Sequence, residues 1–264
     1  MTFRDLHHEG ELPLLLPNAW DVASALAFAD AGFPAVGTTS FGVAAAAGEP
    51  DGGRAGKEAT LALARQLAGL PVHVSADIED GYAEDPEQVA DYAAALGVDG
   101  VNLEDSSGGA LVDPALHAAK VAAVKRRVPG LFVNARVDTY WLGQDAGVEA
   151  SLARALAYVE AGADGVFFPG ATAPDDLRAL TARTPVPVNV LLVPDRTLAE
   201  LGALGVRRVS TGSLPYRAAV DAAVAVATDA RAGRTPPKAT PYATMQQRLV
   251  RHQEAHREAH RRAR

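Results

Sequence analysis

The chain has 264 residues, 48% of them hydrophobic, which is enough to bury a sizeable core without staples. A formal charge of −7 opposes a nucleic-acid partner, since phosphate binding needs a basic face, and the lack of cysteine excludes disulfides, thiolate metal sites and a cysteine nucleophile. No cationic–apolar leader opens the sequence and no uncharged apolar run reaches the roughly 18 residues of a membrane span, so a cytoplasmic enzyme with no membrane partner is expected.

Short apolar runs alternate with helical patterns along the whole chain. Strands are predicted at 12–18, 34–40, 71–78, 100–105, 131–137, 165–169, 187–193 and 207–212. Between them run stretches such as DVASALAFADAG, DPEQVADYAAALG and GVEASLARALAYVEAG, whose apolar residues recur at helical spacing. Asp85 with Pro86 reads as a cap and first turn, and glycine before several strands reads as a helix stop. Eight strand–helix units predict an α/β fold, a single (β/α)8 TIM-type barrel over 1–235. An open doubly wound sheet is the alternative, but it uses fewer units, and no GxGxxG follows the first strand. Residues 236–264 read as a loop and a basic C-terminal helix, assigned to oligomerisation rather than to nucleic acid. His252, His256 and His260 stand four apart there and read as exposed, for want of a carboxylate shell.

Three consecutive strands stop on charge. VHVSADIED ends at Asp77, Glu79 and Asp80, GVNLEDS at Glu104 and Asp105, and LFVNARVD at Arg136 and Asp138. A strand alternates faces with period two, so Asp77 pairs in parity with Glu79, Asn102 with Glu104, and Asn134 with Arg136. In a barrel all of these reach the C-terminal mouth, where active sites lie. Asp77, Glu79 and Glu104 are the candidate metal residues, direct or through water, because crowded oxygens suit a hard cation such as Mg²⁺. Arg136 reads either as a structural partner of Glu104 or as a bidentate grip on a carboxylate or developing enolate oxygen. GTTSFG (37–42) supplies Thr39, Ser40, Phe41 and Gly42 as a candidate carboxylate cradle, or an ordinary turn. Asp51 reads as a metal-water contact or a turn residue, SSGG (106–109) as a flexible lid or a plain linker, and Asn189 and Tyr140 as secondary pocket residues.

Taken together, SADIEDG (75–81), LED (103–105), NARVD (134–138), TSFGVAA (39–45) and GEPDG (48–52) resemble the isocitrate lyase/phosphoenolpyruvate mutase family. The resemblance runs from Asn18 to about Arg217. It implies Mg²⁺ (with Mn²⁺ as a substitute) near Asp77, Glu79 and Glu104, and a pyruvate-like 2-oxo acid held by Arg136 and the 39–42 loop. It also implies a metal-stabilised enolate and a homodimer or homotetramer whose subunits exchange a C-terminal helix. The departures narrow the chemistry. Where relatives carry a Lys- or Cys-bearing lid, this chain has SSGGALVDP; Gly170 stands where a Glu is usual, and Leu191 where a Thr is usual. The expected activity is therefore a Mg²⁺-dependent carbon–carbon lyase or decarboxylase on a small 2-oxo or 2-hydroxy dicarboxylate, of oxaloacetate or substituted-malate type. Tyr140, Tyr82 or a bound water would be the base in the latter case. A phosphoenolpyruvate mutase or phosphonopyruvate hydrolase is one alternative, and a catalytically quiet carboxylate-binding barrel is another.

Overall fold

A computed structural model describes residues 1–262, with side chains as far as Glu258. The strands are β1 (Leu14–Leu16), β2 (Asn18–Ala19), β3 (Ala35–Thr38), β4 (His73–Asp77), β5 (Gly100–Glu104), β6 (Ser106–Ser107), β7 (Ala110–Leu111), β8 (Phe132–Arg136), β9 (Gly165–Phe167), β10 (Val188–Leu191) and β11 (Arg208–Ser210). Nine of them form one sheet in the order β1-β11-β10-β9-β8-β5-β4-β3-β2, every pair parallel. Its two ends are neighbours in sequence. Leu14 pairs with Arg208 and Asn18 with Gly37, so the passage 14–19, broken at Pro17, closes the ring. Proline has no N–H to give a ladder, which is why the predicted strand 12–18 appears as two short pieces. The architecture is the expected (β/α)8 barrel.

The helices are α1 (Val22–Asp30), α2 (Ser40–Ala46), α3 (Lys57–Leu67), α4 (Pro86–Leu96), α5 (Pro114–Arg127), α6 (Thr139–Leu142), α7 (Val148–Glu160), α8 (Pro174–Arg183), α9 (Leu198–Ala203), α10 (Leu214–Arg231) and α11 (Tyr242–Arg262). Their starts follow local chemistry. The Asp85 carboxylate accepts from Glu87 N–H ahead of Pro86, Asp113 does the same ahead of Pro114, and Asp21 and Ser24 form a capping box on α1. None of the helices among the described residues is long and apolar enough to cross a membrane.

Alternation sorts each strand. Val101 and Leu103 of β5, Val133 and Ala135 of β8, and Val74 and Ala76 of β4 face outward to the helices as the main core. Many inward positions are polar and still buried: Asn18, Ser75, Asp77, Asn102, Asn134, Asn189, Arg208 and Ser210. Phe3, His7 and Phe132 plug the opposite end, the His7 ring stacked on Phe132 at 4.2 Å. The barrel thus encloses a polar belt between this apolar plug and the cavity at its C-terminal mouth.

In the single chain, α11 lies against α1 and α3, with Arg248 paired to Asp30 at 2.6 Å. His252 and His256 are half-buried, not exposed as the sequence reads: they donate to Gln66 O at 2.8 Å and Ala68 O at 3.2 Å. The side chain of His260 and residues 263–264 lie outside the described residues.

Candidate active site

A cavity of about 410 Å³ opens at the C-terminal strand ends. Of the predicted residues it gathers Thr39, Ser40, Phe41, Asp51, Asp77, Glu79, Glu104 and Arg136 into one wall. The predicted lid, Ser106–Gly109, also lines it, as a hairpin rather than a loose linker. β6 and β7 pair antiparallel across Gly108 (φ +58°) and Gly109 (φ +79°), a two-residue turn that needs glycine at both places. Gln144 clips this hairpin along its β7 edge, donating to Gly109 O at 3.0 Å and accepting from Leu111 N–H at 3.1 Å.

Asp77 closes β4. Its amide donates to Thr38 Oγ1 at 2.9 Å, and its Oδ2 accepts from Ser40 N–H at 3.3 Å. That N–H is therefore taken up by Asp77 instead of standing free in a carboxylate cradle. Oδ1 is buried and has no partner among the described residues. Glu79 reaches the same wall by another route than parity. The strand has already ended, and Glu79 turns with φ +47° while its carbonyl still accepts from Glu104 N–H at 2.8 Å. Its Oε2 accepts from Arg54 N–H at 3.1 Å and its Oε1 is buried without a partner. Burial pushes Glu79 up to about 7; the Arg54 N–H opposes this, and the charges of Asp77, Asp51 and Asp80 add to it. Asp77 is raised by burial as well, against the pull of Arg136.

Glu104 and Arg136 form an ion pair between register partners on β5 and β8. Arg136 Nε also pairs with Asp138 Oδ1 at 2.6 Å, and the Trp141 and Phe167 rings flank its guanidinium at 5.6 and 5.8 Å. Burial raises Glu104 well above the carboxylate range despite Arg136, whereas Arg136 is raised by Glu104, Asp138 and Asp77 in spite of its own burial. The neighbouring acids are anchors. Asp80 takes a bidentate grip from Arg54 (3.0 Å from Nε, 2.6 Å from Nη2), and the buried Lys120 donates to its carbonyl at 2.7 Å. Asp105 accepts from Tyr158 at 2.7 Å, Arg154 at 3.0 Å and Asp138 N–H at 2.8 Å, while Asp138 accepts from Ser106 at 2.5 Å.

Four predicted residues are not brought into the cavity wall. The Tyr140 hydroxyl donates to Asp176 at 2.9 Å, and that of Tyr82 meets Thr60 at 3.1 Å. Asn189 is spent on Ser210 at 3.1 Å inside the barrel. Gly42 serves packing: a Cβ there would lie 2.8 Å from Thr39 Cγ2 and 2.9 Å from Trp20 Cβ. The wall also includes Asn102 (on the parity of Glu104), Leu191, and residues without a sequence signal of their own, among them Asn18, Arg54 and the apolar Trp141, Phe167, Leu192 and Leu214.

Among the described residues no three His, Asp or Glu side chains close into a ready-made ligand set. The acids nevertheless fit a hard cation. Two buried carboxylates each keep an unpartnered oxygen in one wall, and Mg²⁺ usually retains several waters and takes one or two protein carboxylates.

The phosphoenolpyruvate phosphomutase family model matches residues 3–231. The chain belongs to the isocitrate lyase/phosphoenolpyruvate mutase family. Among curated family members it is 56% identical over 246 residues to uncharacterized protein Rv1998c of Mycobacterium tuberculosis (strain H37Rv), covering 93% of this chain and 95% of that one. It is 31% identical over 187 residues to 2-methylisocitrate lyase of Bacillus subtilis, covering 66% of this chain and 61% of the lyase. A solved phosphonopyruvate hydrolase, in complex with oxalate and Mg²⁺, superposes with TM-score 0.80 at 25% identity, over 100% of this chain and 99% of that one. Family members similar to this chain also carry the name oxaloacetate decarboxylase. The family is one of lyases and mutases, and members of it bind small carboxylates.

Proposed function

We propose that this protein is a Mg²⁺-dependent carbon–carbon lyase, acting on a small 2-oxo or 2-hydroxy dicarboxylate through a pyruvate-like enolate. The observation that carries the reading is the meeting of Asp77 and Glu79, each with an unpartnered buried oxygen, and the Glu104–Arg136 pair in one cavity. Asp77, Glu79 and Glu104 would hold the metal, in part through water; bound there, it supplies Lewis-acid stabilisation of charge on the substrate oxygens. Mn²⁺ serves as a substitute. Arg136, fixed by Glu104 and Asp138, orients a substrate carboxylate or the developing enolate oxygen. Thr39, Ser40 and Phe41 border the carboxylate, and Ser106–Gly109 of the hairpin line the mouth, which stays open to water. No Lys, Cys or His acid stands in the lining, and Tyr140 is turned onto Asp176, so solvent delivers the proton to the enolate.

Decarboxylation of an oxaloacetate-like acid asks least of such a site. The apolar lining of Trp141, Phe167, Leu191, Leu192 and Leu214 favours, as a second reading, a malate bearing an apolar substituent on C3. Phosphonate chemistry needs cationic support beyond Arg136; of the other arginines in the lining, Arg54 is tied to Asp80, and the exposed Arg217 donates to Ser213 Oγ at 3.3 Å. We further infer a cytoplasmic homo-oligomer, its interface along α10, where no residue is buried in the single chain.

Pyruvate release from oxaloacetate and glyoxylate release from C3-alkylated malates, with Mg²⁺ and with excess chelator, test the reading. Metal-dependent release that disappears in Asp77→Ala supports it. Ligand-raised melting temperature without any product would make the protein a quiet carboxylate binder.

A further inference from the structure

Arg208 of β11 is sealed inside the barrel, 1% exposed, and does not line the cavity. Its Nη2 donates to Asn102 Oδ1 at 3.1 Å. Asn102 lies on β5, across the ring: β10, β9 and β8 separate the two strands on one side, and β1 to β4 on the other. The side chain therefore spans the barrel under the cavity floor. Among the described residues Nε and Nη1 of Arg208 have no partner, which burial makes costly and which an apolar side chain of the same volume would avoid. Packing alone gives no reason for an arginine here.

The reason lies in what the strut does to Asn102. A guanidinium offers only donors, so the amide atom that faces it must be the oxygen. Asn134 Nδ2 donates to the same oxygen at 2.9 Å. Two donors fill Oδ1 and fix the amide plane, which turns Nδ2 away from both. Asn102 is 4% exposed, lines the cavity, and is the register partner of Asp77; among the described residues its Nδ2 has no acceptor.

We propose that Asn102 is a substrate-contacting residue that gives an amide N–H to an oxygen of the bound 2-oxo acid or its enolate, and that Arg208 is the positioning residue that aims it. An uncharged donor suits this place beside Asp77. It stabilises charge on a substrate oxygen without repelling a divalent cation, as a lysine or arginine there would. The inference rests on the carboxylate-ligand reading given above.

The test is calorimetric titration of oxalate, a planar stand-in for the enolate, into Mn²⁺-loaded protein, with Mn²⁺ binding followed separately by electron paramagnetic resonance. Asn102→Asp keeps both accepted hydrogen bonds and replaces the donor with a charged acceptor; it is expected to weaken oxalate by more than about tenfold while Mn²⁺ binds no more weakly. Asn102→Ala, which adds no charge, is expected to weaken oxalate by roughly fivefold or more. Arg208→Met is expected to match Asn102→Ala, and the double variant to bind no worse than Asn102→Ala alone. Arg208→Lys, which still donates to Oδ1, is expected to restore most of the affinity and covers the case in which Arg208→Met does not fold. Wild-type oxalate affinity in both Asn102 variants overturns the contact. An Arg208→Met penalty that persists in the Asn102→Ala background overturns its action through Asn102. Mn²⁺ binding by the wild type without any oxalate binding is a separate result, and it removes the carboxylate-ligand reading along with this inference.

Discussion

Arg136 and Glu104 are register partners at the mouths of β8 and β5, and their ion pair is nearly closed to solvent. Asp138 holds the same guanidinium at Nε. Two carboxylates therefore fix the plane of Arg136 and leave its remaining N–H groups for the cavity. Arg136→Lys is expected to lower turnover more than about tenfold, because one ammonium cannot serve both acids and still grip a carboxylate. Steady-state kinetics beside an unfolding curve check this. A retained rate returns Arg136 to a purely structural role.

The barrel was legible because its units are regular: Val101 and Leu103 alternate with Asn102 and Glu104 in the sequence as they do in space. The charged strand ends were legible for the same reason, and Asp77, Glu104 and Arg136 stand where parity places them. Glu79 reached the wall through a left-handed turn that parity does not describe. Tyr140 failed for a local reason. It follows Arg136 by four residues, but the chain enters α6 at Thr139, and helical direction carries the ring to Asp176. Arg208 was hidden because a buried cation looks, in sequence, like any basic residue at the start of a strand. Only the ring closure that sets β11 opposite β5 reveals its partner.

Asp77 is buried with one unpartnered oxygen, and neighbouring acids crowd it. Asp77→Asn removes that repulsion and keeps the shape. The variant is expected to melt no lower than wild type without metal, and to lose the rise in melting temperature that Mg²⁺ gives wild type. Thermal scanning with and without Mg²⁺ reads both. A full Mg²⁺ response in Asp77→Asn would take Asp77 out of the metal shell.

Glu79 is raised by burial from 4.5 to about 7, so the folded protein holds a proton there that the unfolded chain has already released. Stability without metal should therefore fall as pH rises from about 4.5 to 7, by the linkage between proton binding and folding. Glu79→Gln does not titrate, so the difference between its pH–stability curve and that of wild type isolates the effect. A cation displaces that proton, and the Mg²⁺-induced rise in melting temperature should grow across the same window. Parallel curves for the two proteins would contradict it.

The Tyr140 hydroxyl is directed at Asp176, away from the reacting groups. Tyr140→Phe is expected to leave kcat within about twofold of wild type and to cost no more than the roughly 0.5–1.5 kcal/mol of one hydrogen bond. A loss of turnover beyond about a hundredfold, with the fold intact, would reinstate it as the base.

None of the residues of α10 is buried, yet Val220 and Val224 stand four apart on one helical face at 45% and 62% exposure. A barrel helix with an uncovered apolar stripe calls for a cover, and the covering surface proposed here is a second copy of the chain. Val224→Asp would place a charge in that contact and leave the barrel core untouched. Sedimentation should then show a smaller species than wild type, with unchanged circular dichroism. Equal masses for the two proteins would move the subunit interface away from α10.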